Sequence, residues 1–149
     1  MTTREEVARH PFLAGLTDDQ VTVLRAAACS VHLPAGTRIF DEGGVADRFW
    51  LLTDGLVHLD TVVPGRGGVI IESLAAGTVL GWSWLFPPHT WQFGAVATEP
   101  TLAIEFPGTE LRQLCAADPV LGYDLTTRLM GVVVHRLQAT RARLVGVDR

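Results

Sequence analysis

The chain has 149 residues, which fits one domain, and its 48% hydrophobic against 19% charged residues allows one sizeable core with little left for a second. A net charge of −4 argues against a surface built for nucleic acid or for an anionic membrane, and no apolar run approaches the ~20 residues of a membrane-spanning helix. Every basic side chain is arginine, and the only cysteines, Cys29 and Cys115, lack metal-type spacing. Two lone thiols and an N-terminus without an apolar leader lead us to expect a soluble cytoplasmic domain.

In chain order, residues 3–10 suit a short amphipathic helix capped by Thr2 or Thr3 and ended by His10-Pro11. Thr17-Asp18-Asp19-Gln20 begins a second helix, with a cap and acids in the first turn, and Val21, Leu24 and Ala28 fall at core-facing spacing. From Ser30 the period becomes that of strands. Val31 and Leu33 alternate, Pro34-Ala35-Gly36 turns, Arg38-Ile39-Phe40 is a short strand, and Glu42-Gly43-Gly44 turns again. Residues 49–53 and 56–60 flank Asp54-Gly55, the strongest tight-hairpin signal in the chain. Val62-Val63 and Val69-Ile70-Ile71 flank a glycine-rich tip from Pro64 to Gly68; no helix follows it, so it is no nucleotide-phosphate loop.

Leu74, Gly77, Val79 and Leu80 lead into residues 81–97, which hold three of the four tryptophans. Residues 82–86 predict one helical turn, stopped by Pro87-Pro88. Beyond it, Trp91, Phe93, Ala95 and Ala97 share one face of a strand, and Gln92, Gly94 and Val96 the other. Large rings beside small residues suit the filled interior of a closed sheet. Leu102–Phe106 ends a set of short, evenly spaced strands that predicts a sandwich or barrel.

After Pro107-Gly108 the period is helical. Thr109 is the expected cap of a helix over 110–116, and Asp118-Pro119 starts a last helix with no strong breaker before about Val145. Met130, Val133, Leu137, Thr140, Leu144 and Val147 lie alternately three and four residues apart, a short coiled-coil seam that predicts a homodimer; the plainer alternative is one amphipathic helix lying on the strands. Arg128, Arg136, Arg141 and Arg143 lie off that stripe and read as a solvated face. Without repeats or long linkers, the expectation is a single domain over 1–149: helices in 1–29, strands in 30–106 and helices in 109–147.

The order of Phe12-Leu13-Ala14-Gly15-Leu16, the Gly36…Phe40-Asp41-Glu42-Gly43 turn, the Phe49–Gly55 segment, the Gly77…Leu80-Gly81 approach and Arg136-Leu137-Gln138-Ala139-Thr140 resembles the cyclic-nucleotide-binding domain superfamily, closest to the sensory half of bacterial catabolite-activator-type regulators. The resemblance covers nearly the whole chain. It implies a mainly β fold with helices, an eight-stranded jelly-roll β-barrel flanked by N-terminal helices and a long C-terminal helix that often carries a dimer. It also implies a phosphate cassette, in which backbone N–H groups and an arginine neutralise the cyclic phosphate while a glutamate accepts the ribose hydroxyl. Carried onto this chain, that cassette is Gly81, Trp82, Ser83, Trp84, His89, Thr90, Trp91 and Gln92. The glutamate position holds Trp82, and the arginine position holds Trp91, or Gln92 if the loop is shifted by one. Neither indole nor amide is a cation, and an indole offers no acceptor to a hydroxyl.

These substitutions lead to the expectation of a degenerate site that does not take cyclic AMP or cyclic GMP in the usual way. Its rings either fill the pocket as core or form an apolar pocket for a flat ligand or a groove for a partner chain. His89 and Thr90 are candidate donors to an anion. The chain ends at Arg149 without a helix-turn-helix, so DNA reading is not expected of it. Enzyme readings find little support. The barrel is shared with cupins, but His10, His32, His58, His89 and His135 show no paired metal spacing, although His32 and His58 have strand positions from which they could converge. Ser83 lacks the second glycine of a nucleophile elbow. The expectation is therefore a non-enzymatic regulatory sensor or adaptor without metal or cofactor, acting through a protein partner or an unusual ligand.

Overall fold

The structure, a computed structural model, describes residues 4–146. Thr2, Thr3 and Val147, assigned above to a cap and to the seam, lie outside the described residues. By contact density the chain divides into two compact units, Met1–Arg112 and Gln113–Arg149.

The first unit opens with α1 (Arg4–Arg9), a single 3-10 turn (Pro11–Leu13) and α2 (Asp18–Ala27). The helix start expected within residues 17–20 is present, with Thr17 rather than an aspartate as the cap: its hydroxyl accepts from the Gln20 N–H at 3.1 Å while the Gln20 amide oxygen accepts from the Thr17 N–H at 3.0 Å, so two end donors are satisfied reciprocally. Eight strands follow: β1 (Cys29–Leu33), β2 (Arg38–Phe40), β3 (Arg48–Asp54), β4 (Leu56–Val63), β5 (Gly67–Ala75), β6 (Val79–Leu80), β7 (Gly94–Ala97) and β8 (Thr101–Pro107). They make two antiparallel sheets of four, ordered β1-β8-β3-β6 and β2-β7-β4-β5, a jelly roll in which the expected barrel is not closed. The core between the sheets is built from Trp50, Leu52, Leu80 and Ala103 of the first and from Phe40, Val57, Leu59, Leu74 and Ala95 of the second.

This partition corrects the hairpin expected at Asp54-Gly55. β3 pairs with β8 and β6, and β4 with β5 and β7, so the turn carries the chain from one sheet to the other. Gly55 is at φ +101°, and a Cβ there would stand 2.6 Å from Thr101 Cα and 2.7 Å from the Pro100 carbonyl oxygen. The local signal identifies a tight turn correctly, but long-range pairing decides which strands meet across it. The glycine-rich tip does close a hairpin, with Val63 opposite Gly67.

Helix α3 (Gly108–Ala117) begins one residue before the expected cap, so Thr109 lies inside it and its hydroxyl accepts from Arg112 at 3.2 Å. In the second unit, α4 (Pro119–Leu144) has Asp118 as N-cap, whose carboxylate accepts from the Leu121 N–H at 3.2 Å, and proline at its first position. Leu121, Leu125, Leu129 and Arg136 form one buried stripe of α4. The seam stripe is a different one: Met130, Leu137 and Leu144 are 58%, 65% and 82% exposed, Thr140 is exposed and Val133 half-buried.

Candidate functional site

The cassette-like stretch leaves β6 at Gly81, which sits at φ +93°. A Cβ at Gly81 would lie 2.8 and 2.9 Å from Cη2 and Cζ3 of Trp91. Glycine is therefore required twice over, by the left-handed backbone and by the ring pressed against it. The single turn expected over residues 82–86 is present as one hydrogen-bonded turn, with the Leu85 N–H donating to the Trp82 carbonyl at 3.1 Å, and it does not extend into a helix before Pro87-Pro88. A second turn, Phe86 to His89 (3.1 Å between carbonyl and N–H), places His89 at φ +57°. The chain then zips onto the 43–46 turn through Ala46 N–H to His89 O at 2.7 Å, Trp91 N–H to Gly44 O at 2.9 Å and Gly43 N–H to Trp91 O at 2.8 Å.

That zipper fixes which way Trp91 and Gln92 face. Trp91 is 3% exposed, and its ring stacks on Phe40 at 3.8 Å and 12°, with Trp50 6.0 Å away. Gln92 is exposed, and its amide turns back to donate to the Thr90 carbonyl at 3.1 Å. The two alignments left open by the sequence thus differ physically: Trp91 points between the sheets and Gln92 points out. Trp82 is half-buried and meets Phe93 edge-on at 5.4 Å and 70°. Strand β7 starts only at Gly94, but the predicted alternation holds through the bend before it: Trp91, Phe93, Ala95 and Ala97 are all buried.

Trp84 departs from the expected group. It is fully buried on the other side of the first sheet, stacked on Phe49 at 4.8 Å, which stacks on Phe106 at 4.9 Å. Gly108 makes room for it, since a Cβ there would fall 2.8 Å from Trp84 Cβ, and the Trp84 carbonyl accepts from the Arg112 guanidinium. Its indole N–H has no partner among the described residues. Ser83 is buried, while His89 and Thr90 are half-buried. The stretch therefore sends Trp82 and Trp91 into the core between the sheets and Trp84 to the opposite face.

Two residues central to this arrangement have only a strand or turn position in the sequence and no sign of their role at the site. Phe40 is the platform for Trp91, and Glu105 accepts from Trp50 Nε1 at 2.9 Å, tying the second large indole in place. Both contacts are long-range and have no local signature. The histidine pair weighed as metal ligands does not converge. Val57 and Leu59 face the core, so His58 between them faces outward from the second sheet, while His32 lines a cavity against the first. Among the described residues no group of three or more His, Cys, Asp or Glu is placed to hold a metal, and no helix is long and apolar enough to cross a membrane. Both thiols are free, and burial beside Asp118 pushes the Cys115 thiol above its ordinary pKa.

Comparison with known proteins is consistent with this frame. A cAMP-activated global transcriptional regulator of Mycobacterium tuberculosis, described as CRP-like, is 22% identical over 140 residues, covering 94% of this chain and 61% of that protein; the chain thus spans under two thirds of the curated relatives it matches. A candidate cyclic nucleotide-binding protein of Geobacter metallireducens superposes with a TM-score of 0.83 at 28% identity, covering 92% of this chain and 99% of the other. A cyclic nucleotide-binding domain of Methylobacillus flagellatus does so at 0.85 and 22% identity, covering 95% and 82%. The sequence pattern of the cyclic nucleotide-binding domain matches residues 30–118, more than half of the chain, and with the jelly roll of eight strands this establishes that the chain belongs to the cyclic nucleotide-binding domain family.

Proposed function

We propose that the protein is a non-enzymatic regulatory module, a cytoplasmic sensor or adaptor that does not bind cyclic AMP or cyclic GMP in its family's usual way and that acts through a protein partner or a non-standard ligand. One observation carries this reading: the ring of Trp91 lies buried and face to face with Phe40 at 3.8 Å, so of the two residues aligned with the family's arginine one is packed as core and the other, Gln92, is an uncharged amide. A charge-assisted contact to a phosphate or hydroxyl is worth about 1.5–3 kcal/mol. Losing both the glutamate and the arginine contacts weakens binding by about a hundredfold to ten-thousandfold. The apolar seam of Met130, Val133, Leu137, Thr140 and Leu144 supports a homodimer through α4, since its large side chains are exposed in the single chain.

Calorimetric titration with cyclic AMP and cyclic GMP tests the proposal. The expected result is no saturable heat at micromolar concentrations; 1:1 micromolar binding of either nucleotide would refute it. A second reading, the ligand-sensing half of a cAMP-responsive transcription regulator, is favoured by the 22% identity to the mycobacterial regulator. Its signature is micromolar cyclic AMP binding together with a gene that continues past residue 149 into a helix-turn-helix.

A further inference from the structure

The outward face of the first sheet carries Phe49, Leu51, Ile104 and Phe106, all buried. Leu102 lies two residues before Ile104 on the same strand, hence on the same face, yet it is 45% exposed. The cover over this face stops short of Leu102 and leaves a cavity of about 530 Å³. Its size falls within the ~300–1,000 Å³ common for small-molecule sites. Leu102 and Ile104 form an apolar floor, and antiparallel register sets His32 of β1 opposite Leu102 and Ser30 opposite Ile104. Arg9 of α1 and Pro11 close the other side.

That side is held in place by His10. Its Nδ1 accepts from the Phe12 N–H at 3.2 Å, so Nε2 carries the proton and donates to the Leu52 carbonyl at 3.0 Å. With both ring nitrogens committed, His10 is a strut of the wall and has nothing to offer a ligand. Two basic side chains at the cavity are uncommitted. The Arg9 guanidinium and the His32 ring have no hydrogen-bond or ion-pair partner among the described residues. Thr53 gives its hydroxyl proton to the Leu102 carbonyl at 3.1 Å and so presents only lone pairs. Arg9 is the one guanidinium among the described lining residues and Glu6 stands at the same rim, so the lining matches an occupant with no more than one negative charge.

We infer that this cavity is a second ligand site of the fold, taking a small monocarboxylate with an apolar body: the carboxylate toward Arg9 and His32, the hydrocarbon on Leu102 and Ile104. It lies on the opposite side of the first sheet from Trp91, so it stands or falls independently of the nucleotide question. Octanoate is a suitable probe, titrated into the full chain carrying labelled Leu and Ile methyl groups and followed by NMR. Saturable shifts at Leu102 and Ile104 are expected, with Leu59 and Leu74 of the core unmoved. The Arg9→Gln variant, altered at an exposed side chain, should bind about tenfold more weakly with an otherwise unchanged spectrum. Octanol, with the same body and no charge, should also bind more weakly. Shifts centred on the core, equal affinity for octanol and octanoate, an unchanged affinity in Arg9→Gln, or no saturable shift would each overturn the assignment.

Discussion

Removing the Trp91 ring is the most direct test of what occupies the space between the sheets. A buried tryptophan withdraws about 150–250 Å² from water. At about 25 cal/mol per Å² that is worth about 4–6 kcal/mol, and Trp91, 3% exposed, is nearly all withdrawn. The alanine that replaces it keeps part of this burial, and the neighbours relax partially, so Trp91→Ala should destabilise by about 3–5 kcal/mol. The stack on Phe40, at 3.8 Å and 12°, adds a coupling of about 0.5–1.5 kcal/mol, which a double-mutant cycle with Phe40→Ala isolates. Urea unfolding followed by far-UV circular dichroism is the assay, with the slope against denaturant expected to stay constant. Against a typical total stability of about 5–15 kcal/mol the alanine variant is near its limit, so Trp91→Phe, which keeps a ring over Phe40, serves as the milder second point. A loss below about 1 kcal/mol for Trp91→Ala would mean that the indole is not core, and the case for a filled pocket would fail.

Burial holds the His10 ring below its ordinary pKa, so the unfolded chain takes up a proton that the folded chain resists. Stability should therefore be complete above the ordinary histidine value of about 6.5 and fall as the pH drops below it, by at most about 1.4 kcal/mol per pH unit, with His10→Asn flattening that slope in urea melts across pH 5–7. Gly55→Ala places a Cβ against Thr101 in a backbone at φ +101° and should cost about 1–3 kcal/mol, read by thermal unfolding; a neutral result would restore a simple hairpin there. Leu137→Glu with Leu144→Glu, at positions exposed in the single chain, should halve the particle mass in light scattering without lowering helix content, and an unchanged mass would remove the seam argument.

Where a local rule suffices, the sequence is readable. The Thr17–Gln20 capping box, the Asp118-Pro119 helix start and the glycine tip between β4 and β5 depend on neighbours a few residues away, and all three are present. The inward alternation of Trp91, Phe93, Ala95 and Ala97 is legible for the same reason, even though regular pairing starts only at Gly94. The failures share the opposite cause. Asp54-Gly55 specifies a tight turn but not that β3 will pair with β8 while β4 pairs with β7. The run Trp82-Ser83-Trp84 has no period to show that its two rings leave on opposite sides of a sheet. What sends Trp84 outward is space left by Gly108, together with the ring of Phe49, both remote in sequence.

Trp84 also links the middle of the chain to the start of α3 mechanically. Its backbone carbonyl is gripped by Arg112, its Cβ rests where Gly108 lacks one, and the Gly108 N–H is itself tied to the Asp47 carbonyl at 2.6 Å. A displacement of residues 82–86 by even the width of a methyl group would drag on Arg112 or collide with Gly108. Residues 82–86 and the first turn of α3 are thus pinned to each other at two points.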